Sequence, residues 1–318
     1  MHVSFIIPHK GRFEMLIQTI ESVAKQAFDL TQIEVIVVSQ TPEALNQTLN
    51  ENAKLTIKTY LRPESETISA LRNYGETQAS GKYLAFLDAD IYLSTNWIEQ
   101  MLHTLQNDPN RIISSAMQVC KENAPPLEKI RTSLSNAELD TEVAFLPGRN
   151  LFLTREAFHR IDGFPEHLLT CEDYYFTDKA AQLGTLFYTS SANYIHLGED
   201  KTLKGMFDKE IWRGQSNLKS IEGRRIPLRE WPSFVVPPAI FLCIFCSLIA
   251  LCFGQAAAAI IFLTLALIPL LAYTSRLYKL DKLHVSFLHV LAFYTVYFPA
   301  RAIGTFAGIF KSIRTKNI

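Results

Sequence analysis

Asp88 and Asp90 flank the small Ala89 directly after the apolar run Tyr83 to Leu87. Two carboxylates spaced i, i+2 where a chain leaves a sheet can face one site. Hard oxygen donors of this kind suit Mg²⁺ or Mn²⁺ and leave coordination positions open for the diphosphate of a nucleotide. The bare pattern is common in surface loops, so its place after a strand carries the weight. Glu172 and Asp173 form a second acidic pair at the start of a helix-like stretch. Such a pair can simply offset the helix dipole. Alternatively, one member is a general base for an acceptor hydroxyl, whose proton leaves only as the oxygen attacks. Tyr174 and Tyr175 follow, as walls of an acceptor groove or as ordinary core.

Other residues gather near the same predicted edge. His196 follows a short strand and is either a third metal ligand through an imidazole nitrogen or a solitary histidine. Pro8, His9, Lys10 and Arg12 close the first strand, within reach of a nucleotide or in an idle loop. Arg72 and Asn73 can meet phosphate or hold a loop, and Gly148, Arg149 and Asn150 allow close backbone approach to a ligand. Trp212, Arg213, Gln215 and Ser216 read as part of a pocket lid, with Gly214 permitting movement. GxGxxG, Walker A, GxSxG, HExxH and zinc-type Cys/His patterns are all missing, which excludes hydride transfer and P-loop hydrolysis.

The elements that must position these residues follow from periodicity. Val3 to Ile7 is a short, almost wholly apolar run and Ile33 to Val38 the next apolar one, and Phe13, Leu16, Ile17, Ile20 and Val23 between them recur at helical spacing. Strand, helix, strand predicts a βαβ unit. Leu55 to Thr59 reads as a weaker strand, Ser69 to Thr77 as a helix, and Ser94 as the cap of a helix bearing Trp97, Met101 and Leu105. Residues 120–141 read as a loop or partly helical excursion, and Leu186 to Tyr188 and Tyr194 to Leu197 as two short strands. The expected fold is α/β with a mostly parallel sheet, its ligands at the carboxyl ends of the strands.

The chain has 318 residues with 31 basic and 31 acidic side chains, but the balance is uneven. Seven basic residues and one acidic residue lie beyond residue 230, leaving 24 basic and 30 acidic before it. The acidic excess of that larger part excludes a nonspecific nucleic-acid binder. The 44 residues Pro232 to Ser275 carry no charge. Residues 234–254 and 256–274 read as two membrane spans joined at Gly254 and Gln255, and residues 285–310 as a re-entrant or interfacial element or a third span. Residues 201–229 resemble an interfacial segment. Five scattered cysteines exclude a disulfide scaffold. With no signal-peptide core at Met1, residues 1–220 are expected to form a cytoplasmic catalytic domain, 221–233 a connector and 234–318 a membrane domain in a bacterial inner membrane.

Taken together, SFIIPHKGR, RNYGETQASGKYLAFLDAD, LPGRNLFLTREAFHRIDGF, CEDYYF and WRGQS resemble family 2 glycosyltransferases of the GT-A fold over roughly residues 1–220. The resemblance implies that Asp88 and Asp90 hold Mg²⁺ or Mn²⁺ and a nucleotide-sugar donor. It further implies that His196 assists them and that Asp173 is the catalytic base of an inverting transfer. One departure stands out: the family's acidic residue after the second strand is replaced by Ser39, Gln40 and Thr41, with Glu43 farther on. Gln40 can serve a base edge through its amide, which favours UDP and leaves GDP and dTDP open. The membrane segments point to a lipid bilayer and a membrane-associated, polyprenyl-linked acceptor. The alternatives are a polyprenyl-phosphate sugar synthase, a polysaccharide synthase, or a silent membrane scaffold.

Overall fold

The computed structural model describes residues 2–42, 54–215, 228, 231–280 and 285–316. The chain divides into two compact units, Met1–Lys121 with Glu138–Gly198, and Glu122–Ala137 with Glu199–Ile318. The division falls at Gly198, whereas the sequence reading carries the catalytic portion to residue 220.

The first unit opens with β1 (Val3–His9), α1 (Phe13–Ala24), β2 (Ile33–Ser39), β3 (Thr56–Leu61), α2 (Ile68–Gln78), β4 (Tyr83–Leu87), β5 (Ile91–Leu93), α3 (Trp97–Gln106) and β6 (Arg111–Val119). After α4 (Pro126–Ser135), which belongs to the second unit, it is completed by β7 (Thr141–Val143), β8 (Asn150–Thr154), α5 (Arg155–Ile161), α6 (Glu172–Ala181) and β9 (Thr185–His196). The sheet order is β3-β2-β1-β4-β8-β6-β9-β5, with β7 also on β9. The ladders of β1 with β2 and β4, β2 with β3, and β6 with β9 are parallel and hold most of the paired residues. β1, β2 and β4 are buried at every position, as largely apolar runs covered on both faces require. Leu16, Ile20, Val23, Trp97 and Met101 cover one face, and Leu71, Phe158, Phe164 and Phe176 the other.

Register decides where the chemistry lies. His9 stands opposite Ser39, so the ends of β1 and β2 coincide, and Asp88 leaves β4 at the same edge. β8 runs antiparallel to β4 with Asn150 opposite Leu87, which returns Pro147, Gly148 and Arg149 to that edge. β9 runs antiparallel to β5 with His196 opposite Ile91, beside Asp90.

Some elements differ from the periodicity reading. The two short strands are one, because Asp140 accepts hydrogen bonds from the backbone and hydroxyl of Ser190 and carries the polar centre of β9 through a register shift against β6. Asn96, rather than Ser94, occupies the N-cap position of α3, but its side chain does not bond the helix: its amide oxygen accepts from the Ser94 hydroxyl. Short strands such as β5 and β7 have no period to detect.

Glu34, the second residue of β2, is a fully buried charge. Its carboxylate accepts from Ser4 Oγ at 2.7 Å, Ser80 N at 2.6 Å and Lys58 Nζ at 2.8 Å. Burial pushes its pKa up, but Lys58, Ser4 and Ser80 outweigh burial and bring it down to about 2. A pKa depressed from 4.5 contributes about 3 kcal/mol, complete above pH ~4.5 and lost as pH falls through ~2. Glu34→Gln is therefore expected to lower the thermal midpoint at pH 7, with the gap from the parent protein narrowing to under about half by pH 3. A gap independent of pH would contradict this role.

The second unit contains α4, α7 (Leu203–Gly214), α8 (Trp231–Cys252), α9 (Ala256–Leu280) and α10 (Phe287–Lys316). Stretches of α8, α9 and α10 are long and apolar enough to cross a bilayer, which makes this an integral membrane protein. Gly254, with φ +71, makes the turn between α8 and α9 that the sequence assigns to Gly254 and Gln255. Leu127, Ile130, Met206, Phe293 and Phe298 form part of this unit's own core. Beside it, Arg131 pairs with Asp200 at 2.9 Å and Glu210 at 2.6 Å, Arg213 with Glu210 at 2.6 Å, and Arg301 with Glu210 at 3.2 Å. Burial raises the Glu210 pKa, but the three guanidinium groups override it and hold it at about 2. Gly214 and Gly304 lie backbone to backbone, which locks the C-terminal end of α7 to α10.

Candidate active site

The acids after β4 turn in two directions. Asp88 Oδ1 accepts from Arg72 Nη2 at 2.9 Å, and the other terminal nitrogen of Arg72 donates to Glu172 Oε1 at 2.9 Å. Arg72 is only 1% exposed and also donates to the carbonyl of Gly148 at 3.3 Å. One guanidinium thus ties the strand-end acid to the helix-start acid, a bidentate task suited to its planar fork. Burial opposes its charge, but Asp88, Glu172 and Asp173 together raise its pKa. Burial likewise pushes Glu172 up, to about 6, with the neighbouring Asp173 carboxylate adding to the rise and Arg72 opposing it.

Asp173 is fixed by the backbone. Its Oδ2 accepts from Gly148 N at 3.1 Å and its Oδ1 from its own helix at Tyr174 N, 2.8 Å. A Cβ at Gly148 would stand 2.9 Å from Asp173 Cβ and 3.1 Å from Arg72 Nη1, so glycine here is required by close approach. α6 is entered through Cys171 at φ +64, a left-handed turn that sets Glu172 and Asp173 on the first helical turn.

Asp90 is held apart from this group. Its Oδ2 lies 3.0 Å from Arg12 Nη1, and its Oδ1 lies 3.4 Å from His196 Nε2. Arg12 reaches it from the left-handed turn Gly11–Arg12 that starts α1. Gly198 packs directly on the Asp90 and Arg12 side chains. Among the described residues no three His, Cys, Asp or Glu are placed together so that they could hold a metal ion. Asp90 and His196 nevertheless converge, and a carboxylate oxygen beside an imidazole nitrogen fits Mn²⁺ with its other positions left to a diphosphate and water.

The remaining sequence candidates fall into distinct roles. His9 is buried at the end of β1, its Nδ1 2.8 Å from Ser39 Oγ and its Nε2 without a hydrogen-bond partner among the described residues. Burial lowers its pKa most; a hydrogen bond with the Gly11 backbone opposes this and Arg12 adds to it. Pro8 is part of β1, Ala89 packs on the core, and Lys10 forms an exposed pair with Glu64. The Gln40 amide nitrogen donates to the carbonyls of Pro63 and Glu66, so it holds that turn. Asn73 clasps the loop after α5, donating to Phe164 O and Glu166 Oε1 and accepting from Phe164 N. Arg149 donates to Tyr194 Oη and Gln118 Oε1, while Asn150 is wholly buried.

Trp212, Arg213 and Gln215 belong to the second unit, where Gly214 is wedged against Gly304 at the point that the sequence reading makes a lid hinge. Ser216 and Glu43 lie outside the described residues. Sequence reasoning passed over Gly198, whose signal was a glycine two residues after His196, and Arg12 as a partner of Asp90 rather than of a nucleotide.

A sheet paired mostly in parallel, an Asp-Ala-Asp turn at its carboxyl edge and a later acidic pair tied back to that turn defines the GT-A type of α/β fold. The family described as Glycosyl transferase family 2 matches residues 4–162, and the chain belongs to it. Glycosyltransferase AglE of Haloferax volcanii is 26% identical over 192 residues, 57% of this chain and 62% of that protein. Poly(ribitol-phosphate) beta-N-acetylglucosaminyltransferase TarS of Staphylococcus aureus is 24% identical over 57% of this chain and 32% of its own length. The alignments thus span less than two thirds of either relative. Among solved structures, mannosyltransferase PcManGT from Pyrobaculum calidifontis, in complex with GDP-Man and Mn²⁺, superimposes with a TM-score of 0.62 at 16% identity, covering 96% of this chain and 87% of that one.

Proposed function

We propose that the protein transfers a sugar from a nucleoside-diphosphate donor to a hydroxyl of a membrane-associated acceptor, with inversion. The observation that carries this reading is the Arg72 bridge, which links Asp88 after β4 to Glu172, the residue before Asp173. The acceptor oxygen attacks the anomeric carbon as the bond from that carbon to the diphosphate oxygen breaks, and the hydroxyl proton passes to Asp173. Asp90 and His196 are the residues that would hold Mn²⁺ or Mg²⁺, which when bound supplies positive charge to the departing diphosphate. Arg12 keeps the Asp90 carboxylate oriented, and His9 stands where a donor's nucleotide would lie. The sequence reading favours UDP through Gln40, whose amide nitrogen is engaged by Pro63 and Glu66, so only its amide oxygen is left for a base edge; GDP enters through the likeness to PcManGT.

The test is an assay of the full chain in lipid nanodiscs with UDP-, GDP- and dTDP-sugars and lipid-linked acceptors. One donor is expected to be consumed in the presence of Mn²⁺ or Mg²⁺, with transfer abolished by chelation. Transfer that persists undiminished in chelator would remove the cation from the reading, and no turnover of any donor would remove the reading itself.

The same reading places the catalytic unit on the side of the membrane where nucleotide sugars are made. α8 and α9 make the two crossings. α7 exposes Lys204 and Asp208, so it stays out of hydrocarbon, and Arg301 and Gly304 of α10 are fastened to it. That half of α10 lies at the interface, and the basic residues after Phe310 remain on the side of Arg276 and Lys279. A reporter fused after Ile318 is expected to be active only in the cytoplasm; activity on the opposite face would establish a third crossing.

A further inference from the structure

The acceptor side of the site contains an aromatic pair that the reaction just described does not use. Phe145 and Tyr174 stand with ring centroids 5.4 Å apart and planes tilted by 50°. Tyr174 follows Asp173 directly, and Phe145 lies three residues before Gly148, whose N–H holds the Asp173 carboxylate. Phe145 is 38% exposed, so part of its ring is open to a ligand.

Charge narrows what can rest there. The neighbourhood carries the carboxylates of Asp173, Glu172 and Asp88. Its cations are engaged: Arg72 by Asp88 and Glu172, Arg149 by Tyr194 and Gln118, and Lys179, farther along α6, by Asp162. An acceptor phosphate would meet acids here with those cations already occupied, and its oxygen, ionised near neutrality, needs no base. A neutral sugar hydroxyl needs the base, and a pyranose presents an apolar C–H face that an exposed ring can cover.

Resting on the proposed role of Asp173, we infer that Phe145 and Tyr174 form a platform for a pyranose ring. The group that receives the transferred sugar is then a neutral sugar hydroxyl and not a lipid phosphate. Covering one pyranose face with about 50 to 60 Å² of apolar contact corresponds to roughly ten-fold in affinity. Tyr174 forms the second wall.

The experiment uses the full chain in nanodiscs with Mn²⁺ and the donor that it consumes. The neutral acceptors are dodecyl β-glucoside, β-galactoside, β-mannoside and N-acetyl-β-glucosaminide; farnesyl phosphate is the anionic one. Transfer to at least one pyranoside and none to farnesyl phosphate is expected. Phe145→Ala is expected to raise the KM for that pyranoside about ten-fold, with the donor KM moving by less than about two-fold, and Phe145→Tyr to restore the parent value. Tyr174→Leu, matched to the parent in thermal midpoint, provides a second variant with the same expected split. An unchanged pyranoside KM in both truncated variants would overturn the inference and leave the proposed reaction intact, whereas farnesyl phosphate as the acceptor would overturn the inference together with the hydroxyl acceptor, leaving only sugar transfer from the donor. A protein that consumes none of the donors would overturn both.

Discussion

Asp173→Asn is expected to lower turnover about a thousand-fold while the donor KM stays within about two-fold. The asparagine has the size of the aspartate and retains an oxygen for one of the two backbone donors, Gly148 N or Tyr174 N, so the fold around it persists. What it lacks is a second oxygen able to take the proton of the attacking hydroxyl. Because that proton is transferred only as the new bond forms, the deficit falls on the chemical step and not on donor binding. Initial rates at saturating donor and acceptor, on protein matched to the parent in thermal midpoint, measure the effect. Near-parental turnover would assign the base elsewhere.

Arg72→Leu is expected to harm both folding and chemistry. Removing a guanidinium that is 1% exposed leaves Asp88 and Glu172 facing each other uncompensated, at a cost of about 3 to 5 kcal/mol. The survivors lose the register between the turn after β4 and the start of α6, and turnover falls by roughly a hundred-fold or more. Arg72→Lys separates the two effects. One ammonium restores a positive charge and part of the thermal midpoint, but it cannot reproduce the fork that reaches Asp88, Glu172 and the Gly148 carbonyl, so turnover stays low. Full activity in the lysine variant would reduce Arg72 to a charge balance.

The parallel half of the sheet was legible because Val3 to Ile7, Ile33 to Val38 and Tyr83 to Leu87 are apolar but for Ser4 and Glu34, and Asp88 and Asp90 come just after the last of these. The roles inside the site were less so. Arg72 reads in sequence as a residue that meets phosphate or holds a loop, since arginine is rarely buried; three acids and a carbonyl from distant segments make its burial tolerable. Gln40 reads as a base reader, yet its amide nitrogen is engaged by two carbonyls of a turn that no local pattern places beside it. The lid reading of WRGQS rested on Gly214 as a hinge, and a glycine serves equally where two helices touch through their backbones. The ionic cluster around Glu210 joins residues up to 170 positions apart in sequence, so no spacing rule finds it.

The central claim is a single displacement by a hydroxyl whose proton goes to Asp173. The configuration of the transferred sugar at its anomeric carbon, read by NMR from the product formed with an α-linked donor, tests it most directly. A β-linked product is expected, because one in-line attack must invert that centre. An α-linked product would contradict the account, since retention requires a second displacement or a different face of attack.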